Sequence, residues 1–276
     1  MSQPSPLAVP MPWNLVASAY TAELVPSFEE FAGDALRLAG APKGARLVDV
    51  ACGPGSLALL AAKDGYTVDA LDFSTAMIEK LEGRKAAAGG TTVTAQVGDG
   101  QALPYVDGTF AAGFSMFGLM FFPDRAKGLA ELRRVLAPGG RAVIGSWTRI
   151  EDVPAMAAMF ASLRSTMKIL LGDAAPAPGN QEMPLSTEEL CRAEMAQSFA
   201  DVEVHRVSHP QQFPTSDAFF GQLERTMAPL VLMRQRLGED KWTTISTNAK
   251  DALRSVLGSG PAEVGLTALI TVGTAR

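Results

Sequence analysis

The chain has 276 residues, 47% of them hydrophobic and 19% charged, which is enough apolar material for a sizeable core and rules out a disordered chain. At about 150 residues per domain, the length reads as one large domain or as one domain with an inserted cap. The net charge of −5 speaks against nucleic acid as a partner, because phosphate contacts need clustered Lys and Arg.

Residues 13–40 predict two short helices. Ser27 and Glu30 have the spacing of a capping box, and Gly40 with Pro42 closes the second helix. Residues 46–51 read as a buried strand that breaks at Gly53-Pro54-Gly55 and passes into a helix over 56–63. A strand over 67–72 follows, then a helix capped by Ser74 that runs to about Ala88 and stops at Gly89-Gly90. The alternation continues with strands over 91–97 and 110–116, a helix over 124–136, a tight turn at Pro138-Gly139-Gly140 and a strand over 141–147. Strands alternating with helices predict a doubly wound α/β core with right-handed crossovers.

After Trp147 the pattern changes. Val153, Met156, Met159, Phe160, Leu163, Met167 and Leu170 recur at spacings of mostly three and four, which predicts a helix over 151–171. A Pro/Ala/Gly loop over 172–184, a helix over 187–197 and a strand over 202–209 follow. Two or three helices lie between 216 and 257, with Pro229 opening one, and a last strand covers 264–274. Met1–Pro12 has no basic residue ahead of an apolar run, so no export signal is expected there. No segment approaches the roughly 18 apolar residues of a membrane span. With only Cys52 and Cys191, a disulfide or zinc framework is excluded, and a soluble, cytoplasmic protein without a bound metal is expected.

The sharpest local signal is Leu47-Val-Asp49-Val-Ala51-Cys52-Gly53-Pro54-Gly55-Ser56, a strand that turns through glycines into a helix. Such a turn lets backbone approach a ligand and offers the free N–H groups of a helix start. Gly53, Gly55 and Ala58 also satisfy a loose dinucleotide fingerprint. Three carboxylates bear on that choice. Asp49, Asp72 and Asp99 end or nearly end three successive strands, so a doubly wound sheet aims them at one crevice. Ionised carboxylates only accept hydrogen bonds, so three of them suit a ligand with several donors and a positive end. S-adenosylmethionine has that character, with its ammonium, sulfonium, ribose diol and adenine amine, whereas a dinucleotide's pyrophosphate would meet negative charge at Asp49.

Asp-Val-Ala-Cys-Gly-Pro-Gly at 49–55, Leu71-Asp72-Phe73-Ser74, Gly98-Asp99-Gly100-Gln101, Asp107-Gly-Thr-Phe110, Phe121-Phe-Pro-Asp124 and Leu132-Arg-Arg-Val-Leu-Ala-Pro-Gly-Gly140 resemble the motifs of class I S-adenosylmethionine-dependent methyltransferases. Among them, the small-molecule enzymes of the ubiquinone/menaquinone-biosynthesis type are the most similar by motif. The resemblance covers about residues 45–147, and it departs from the family at Ala51, where many members have glycine, and at Ser56. It implies a Rossmann-like, seven-stranded, mostly parallel sheet. Residues 1–44 would cover the cofactor and 45–147 would bind it. Residues 148–276 would supply a helical substrate cap (148–198 and 210–260) and the last two strands (202–209 and 264–274).

The same resemblance implies roles. Asp49 and the turn Ala51, Cys52, Gly53 and Gly55 would hold the methionine end. Asp72 would take the ribose, Phe73 and Met77 would sit by the adenine, and Asp99, Gly100 and Gln101 would meet its amine. Ser115 and Met116 would flank the sulfonium, with Tyr20 above. Phe117, Met156, Phe160, Phe219 and Phe220 are the candidates for an apolar acceptor pocket, because a surplus of Met and Phe makes an adaptable apolar surface. His209, at the expected end of its strand, is the candidate general base. The expected partner is a small methyl acceptor. The acceptor's identity, the atom methylated and the oligomeric state stay open, and an NAD-dependent oxidoreductase or a non-catalytic cofactor-binding homologue are the alternatives.

Overall fold

The computed structural model describes residues 5–172 and 183–276. The loop expected over 172–184 lies largely outside the described residues. In the first half the chain runs α1 (Pro10–Glu23), α2 (Val25–Ala39), β1 (Arg46–Val50), α3 (Ser56–Lys63), β2 (Thr67–Asp72), α4 (Thr75–Ala87), β3 (Val93–Val97), β4 (Phe110–Met116), α5 (Arg125–Val135) and β5 (Leu136–Trp147). The second half adds α6 (Pro154–Leu171), α7 (Glu188–Met195), β6 (Ala200–Phe213), α8 (Ser216–Thr226), α9 (Ala228–Leu237), α10 (Glu239–Leu257) and β7 (Ala262–Thr274).

The seven strands form one sheet in the order β3-β2-β1-β4-β5-β7-β6. The first five are parallel, and β7 runs antiparallel to both of its neighbours. The fold is therefore the expected α/β, Rossmann-like, mostly parallel sheet, closed by one antiparallel hairpin. Alternation along β1 explains its two faces. Leu47 packs with Phe114, Val143, Leu57 and Leu81 under α2, α3 and α4, while Val48 and Val50 pack with Ile144, Leu129, Leu132 and Met195 under α5 and α7. Asp49 shares the face of Leu47 at the carboxyl end of the sheet, where a ligand crevice opens.

The hairpin is longer than the sheet it completes. Pairing of β5 with β7 ends at Trp147↔Ala268, but pairing of β6 with β7 continues to Phe213↔Ala262. This overhang carries the cap. Phe213 and Val264 pack with Met159, Leu163, Phe219, Phe220, Trp242 and Ile245 from α6, α8 and α10. Among the described residues no helix is long and apolar enough to cross a membrane.

Four expectations are corrected. Ser27 does not cap α2, because that helix already starts at Val25 with Leu24 in the cap position. Pro26, which has no N–H to give to the preceding turn, breaks what would otherwise be one helix into α1 and α2. Pro138-Gly139-Gly140 is a bulge inside β5 rather than a turn before it. The register jumps from Phe110↔Leu136 to Ala112↔Arg141, and the Gly139 amide donates to the Ala275 carbonyl at 2.9 Å. The helix α7 lies on the sheet, with Cys191 and Met195 in the core beneath α5, and not in the cap. Finally, β6 extends to Phe213, so His209 sits within the strand, opposite Leu266, and not at its end. Pro210 is tolerated beside it because β6 is the edge strand.

Candidate cofactor and active site

The chain leaves β1 through three left-handed residues, Ala51 (φ 58°), Gly53 (φ 54°) and Gly55 (φ 80°), before α3 begins. A β-carbon on Gly53 would meet nothing within 4 Å, because that side of the turn faces open space. Gly55 is different. A β-carbon there would lie 2.2 Å from Leu81 Cδ1, and its amide already donates to the Cys52 carbonyl at 3.0 Å. Its glycine thus serves the packing of α3 against α4, and Gly55 lines neither of the clefts described below. Arg84 on α4 fixes the turn from behind, donating to the Pro54 carbonyl at 2.7 Å and to Glu29 of α2 at 2.6 Å.

Asp72 ends β2 and is spoken for on both oxygens. Oδ2 accepts from the Gly53 amide and Oδ1 from the Ser74 amide, each at 2.8 Å. A carboxylate oxygen has a second lone pair, so each oxygen can still take a ribose hydroxyl. Burial pushes Asp72 up to about 6, against the pull of its two amides. Asp49 is only 1% exposed, and its Oδ2 has no hydrogen-bond partner. Burial first and the negative Asp72 second push Asp49 up to about 7. An orphaned, buried carboxylate oxygen is costly unless a donor or cation fills the gap. Cys52, buried beside them, is held well above the ordinary thiol range by the same burial and by both carboxylates. Asp99 is exposed, and its Oδ1 accepts from the Gln101 amide at 2.8 Å, while Gln101 Oε1 accepts from the Asp124 amide at 2.9 Å. Gln101 thereby joins the loops after β3 and β4.

These residues surround a cleft with about 920 Å³ of empty space, part of it open to solvent. Of the predicted residues, Tyr20, Ala51, Gly53, Asp72, Phe73, Met77, Asp99, Gly100, Gln101, Met116 and Phe117 line it. A smaller cleft of about 370 Å³ adjoins it. Asp49 and Cys52 line that one, and Tyr20, Ala51, Gly53 and Met116 belong to both. Burial and the charge of Asp72 push the Tyr20 phenol above its ordinary range, so it is a hydrogen-bonding group and not a base at neutral pH.

The structure leaves other predicted residues outside. Ser115, one position before Met116 on β4, is 2% exposed and lines neither cleft, because successive strand residues point to opposite faces. Phe219 and Phe220 are buried in the cap core, with Met156 and Phe160 packed against it, and none of the four lines either cleft. His209 Nε2 meets Asp34 Oδ2 at 2.8 Å, Nδ1 lies 3.4 Å from Glu30, and its ring packs edge-on against Phe31. It lies beyond Phe31 from the cleft-lining Phe117 and pins α2 to β6.

Sequence reasoning gave no role to several residues that the fold brings in. Trp13 of α1 and Phe121, Phe122 and Pro123 after β4 complete the wall of the larger cleft. The Phe-Phe-Pro-Asp run was a visible motif, but nothing local marks Trp13. Beside the junction of the two clefts, Phe117 (φ 62°) stacks on Trp147 with centroids 4.1 Å apart, and Phe28 meets both rings edge-on. That aromatic wall adjoins Tyr20, which packs against Phe28.

Comparisons with known proteins agree with this geometry. Residues 47–140 match the family described as methyltransferase domain. A demethylmenaquinone methyltransferase of Thermus thermophilus is 44% identical over 111 residues, covering 40% of this chain and 49% of that protein. An uncharacterized protein of Mycobacterium tuberculosis is 41% identical over 110 residues, 40% of each chain. The chain thus matches less than half the length of these curated relatives. The solved YcgJ protein of Bacillus subtilis superposes over 90% of this chain and 98% of its own, with a TM-score of 0.59 and 19% identity, a likeness of fold alone. Fold and cleft are similar to those of the class I S-adenosylmethionine-dependent methyltransferases, and the methyltransferase-domain match spans residues 47–140 of the chain. Within that class, the chain resembles the ubiquinone/menaquinone-biosynthesis type.

Proposed function

We propose that the chain transfers a methyl group from S-adenosylmethionine to a small apolar or aromatic molecule. One observation carries this reading over a dinucleotide: the buried, unpartnered Oδ2 of Asp49 beside the glycine turn. An ammonium satisfies that oxygen, and a pyrophosphate does not. When bound, the cofactor supplies a methyl group on a positively charged sulfur. Asp49 takes its ammonium, and the turn at Ala51 and Gly53 borders its methionine end. Asp72 takes the ribose diol, Phe73 and Met77 flank the adenine, and Asp99 with its free Oδ2 accepts from the adenine amine. Tyr20 and Met116 stand at the junction of the two clefts and would flank the sulfonium.

The aromatic wall of Phe28, Phe117 and Trp147 next to that junction favours an apolar or aromatic acceptor. The Thermus relative, by its name, methylates a demethylmenaquinone, which makes a reduced naphthoquinone the first acceptor to test. Transfer is an in-line displacement, so the residues contribute chiefly by holding the acceptor atom opposite the sulfur and keeping water away. No proton-transfer role is assigned to His209, which faces Asp34. Titration calorimetry with S-adenosylmethionine, S-adenosylhomocysteine and NAD, followed by labelled-methyl transfer to reduced naphthoquinones, tests the proposal. Binding of the first two with labelled product is expected. Binding of NAD in their place, or cofactor binding without transfer to any apolar acceptor, would overturn it.

A further inference from the structure

We infer that Asn14 is a positioning residue that latches α1 over the cofactor cleft, and that this latch sets how fast the cofactor leaves. The inference rests on the reading that the cleft takes S-adenosylmethionine. Asn14 lies on α1, a helix without a charged residue before Glu23. Its Oδ1 accepts from the Ser74 hydroxyl at 2.7 Å and from the Ala76 amide at 3.3 Å.

Ser74 is committed on every side. Its hydroxyl oxygen caps α4 by accepting from the Met77 amide at 3.2 Å, and its own amide donates to Asp72 Oδ1 at 2.8 Å. The Gly53 amide holds the other Asp72 oxygen. A continuous chain of contacts therefore runs from the roof, through Asn14 and Ser74, to the carboxylate and to the glycine turn. Each end of that chain is a wall of the same cleft. Trp13 and Tyr20 line it from α1, and Phe73 and Met77 line it from the β2–α4 side.

The rest of the α1–α4 contact is apolar, with Val16 and Ala17 packed on Met77. The hydrophobic drive to pack is non-directional, whereas a hydrogen-bonded acceptor demands one geometry. Asn14 therefore supplies the register that keeps Trp13 and Tyr20 facing the cleft. Its side chain is at the exposed edge of the contact, so the latch can open without unpacking a core.

The test measures release of S-adenosylhomocysteine by stopped flow, its equilibrium affinity and thermal melts for the parent chain, Asn14→Ala, Asn14→Asp and Val16→Ala. Alanine removes the acceptor oxygen without disturbing a helix. Aspartate keeps an acceptor, and its charge suits the N-terminus of α4. Asn14→Ala should release the ligand about tenfold faster, the change expected from losing one or two neutral hydrogen bonds. Its affinity should fall in step, while Asn14→Asp stays within about threefold of the parent. Val16→Ala, which loosens only the packing, should lower the melting temperature without matching that faster release. Parent-like release in Asn14→Ala, failure of Asn14→Asp to restore it, or equal acceleration in Val16→Ala would each overturn the latch. A parent chain that binds neither S-adenosylmethionine nor S-adenosylhomocysteine would instead overturn the reading of the cleft, and the latch with it.

Discussion

The Gly53 amide donates to Asp72 Oδ2 at 2.8 Å, so the turn after β1 and the end of β2 move as one piece. Asp72→Ala should therefore act twice. It withdraws the proposed acceptor for the ribose diol, which should weaken S-adenosylmethionine by about 1.5–3 kcal/mol, and it leaves the Gly53 and Ser74 amides without a partner. Calorimetry and thermal melts should show losses in both affinity and stability. Unchanged affinity would remove Asp72 from the ribose site.

Asp49, pushed up to about 7, and Asp72, pushed up to about 6, hold protons in the folded protein to higher pH than in the unfolded chain. Their contribution to stability is therefore full below about pH 4 and is lost as pH rises through 6 and 7. An ammonium held by Asp49, as proposed, favours the ionised carboxylate, so affinity should move the opposite way. A group titrating near 7 is about one-tenth ionised at pH 6 and nine-tenths at pH 8, so S-adenosylhomocysteine should bind about tenfold more tightly at pH 8. Asp49→Asn should flatten the affinity profile between pH 6 and 8 and leave the stability profile with the slope of Asp72 alone. An affinity slope over that range that persists in the variant would locate the titration elsewhere.

Ala51 holds a left-handed conformation (φ 58°), and its β-carbon lies where a β-carbon on Gly118 would approach to 2.4 Å. Left-handed backbone costs a non-glycine residue roughly 1–2 kcal/mol. Glycine at 51 removes that cost but enlarges the freedom of the unfolded chain, so Ala51→Gly should be neutral or stabilising by up to about 1 kcal/mol. Ala51→Val adds bulk against Gly118 and should destabilise by about 1–3 kcal/mol. Denaturant melts of the two variants should fall on opposite sides of the parent or place only valine below it.

The cap core and the aromatic wall should separate by phenotype. Phe219→Ala and Phe220→Ala empty a buried cluster, at 1% and 0% exposure, and should cost about 3–5 kcal/mol of stability with little change in cofactor affinity. Phe117→Ala removes the ring stacked on Trp147 at the cleft wall and should chiefly raise acceptor KM. Cofactor binding that collapses in the two cap variants while they remain folded would move the cap around the cofactor.

His209→Gln should retain most of kcat. The loss of the Asp34 contact between β6 and α2 should cost about 1 kcal/mol, since the pair is only partly shielded from solvent. A fall in kcat of a hundredfold or more at full cofactor occupancy would return His209 to the chemistry.

Much of this protein was legible in the chain alone. Helix α3 and strands β2 and β4 have the boundaries their patterns predict, because alternating buried strands and glycine-stopped helices are local signals. Ser74 caps α4 as expected, and Asp72 was marked by ending a strand. The parallel direction of the first five strands was also legible, since strands alternating with helices call for crossovers, whereas the strand order was not. Tertiary structure alone decided where long-range partners fall. Gly53 and Gly55 look alike in the motif, yet one faces a cleft and the other Leu81, a residue 26 positions away. Phe219 and Phe220 have the composition of a pocket, but the overhang of β6 on β7 turns them into core. The strand expected over 202–209 puts His209 at its end, just before Pro210, while pairing with β7 carries the strand on to Phe213. Nothing near Asn14 or Trp13 announces a ligand, because their meaning comes from the start of α4, some 60 residues away, and only the packed fold brings the two together.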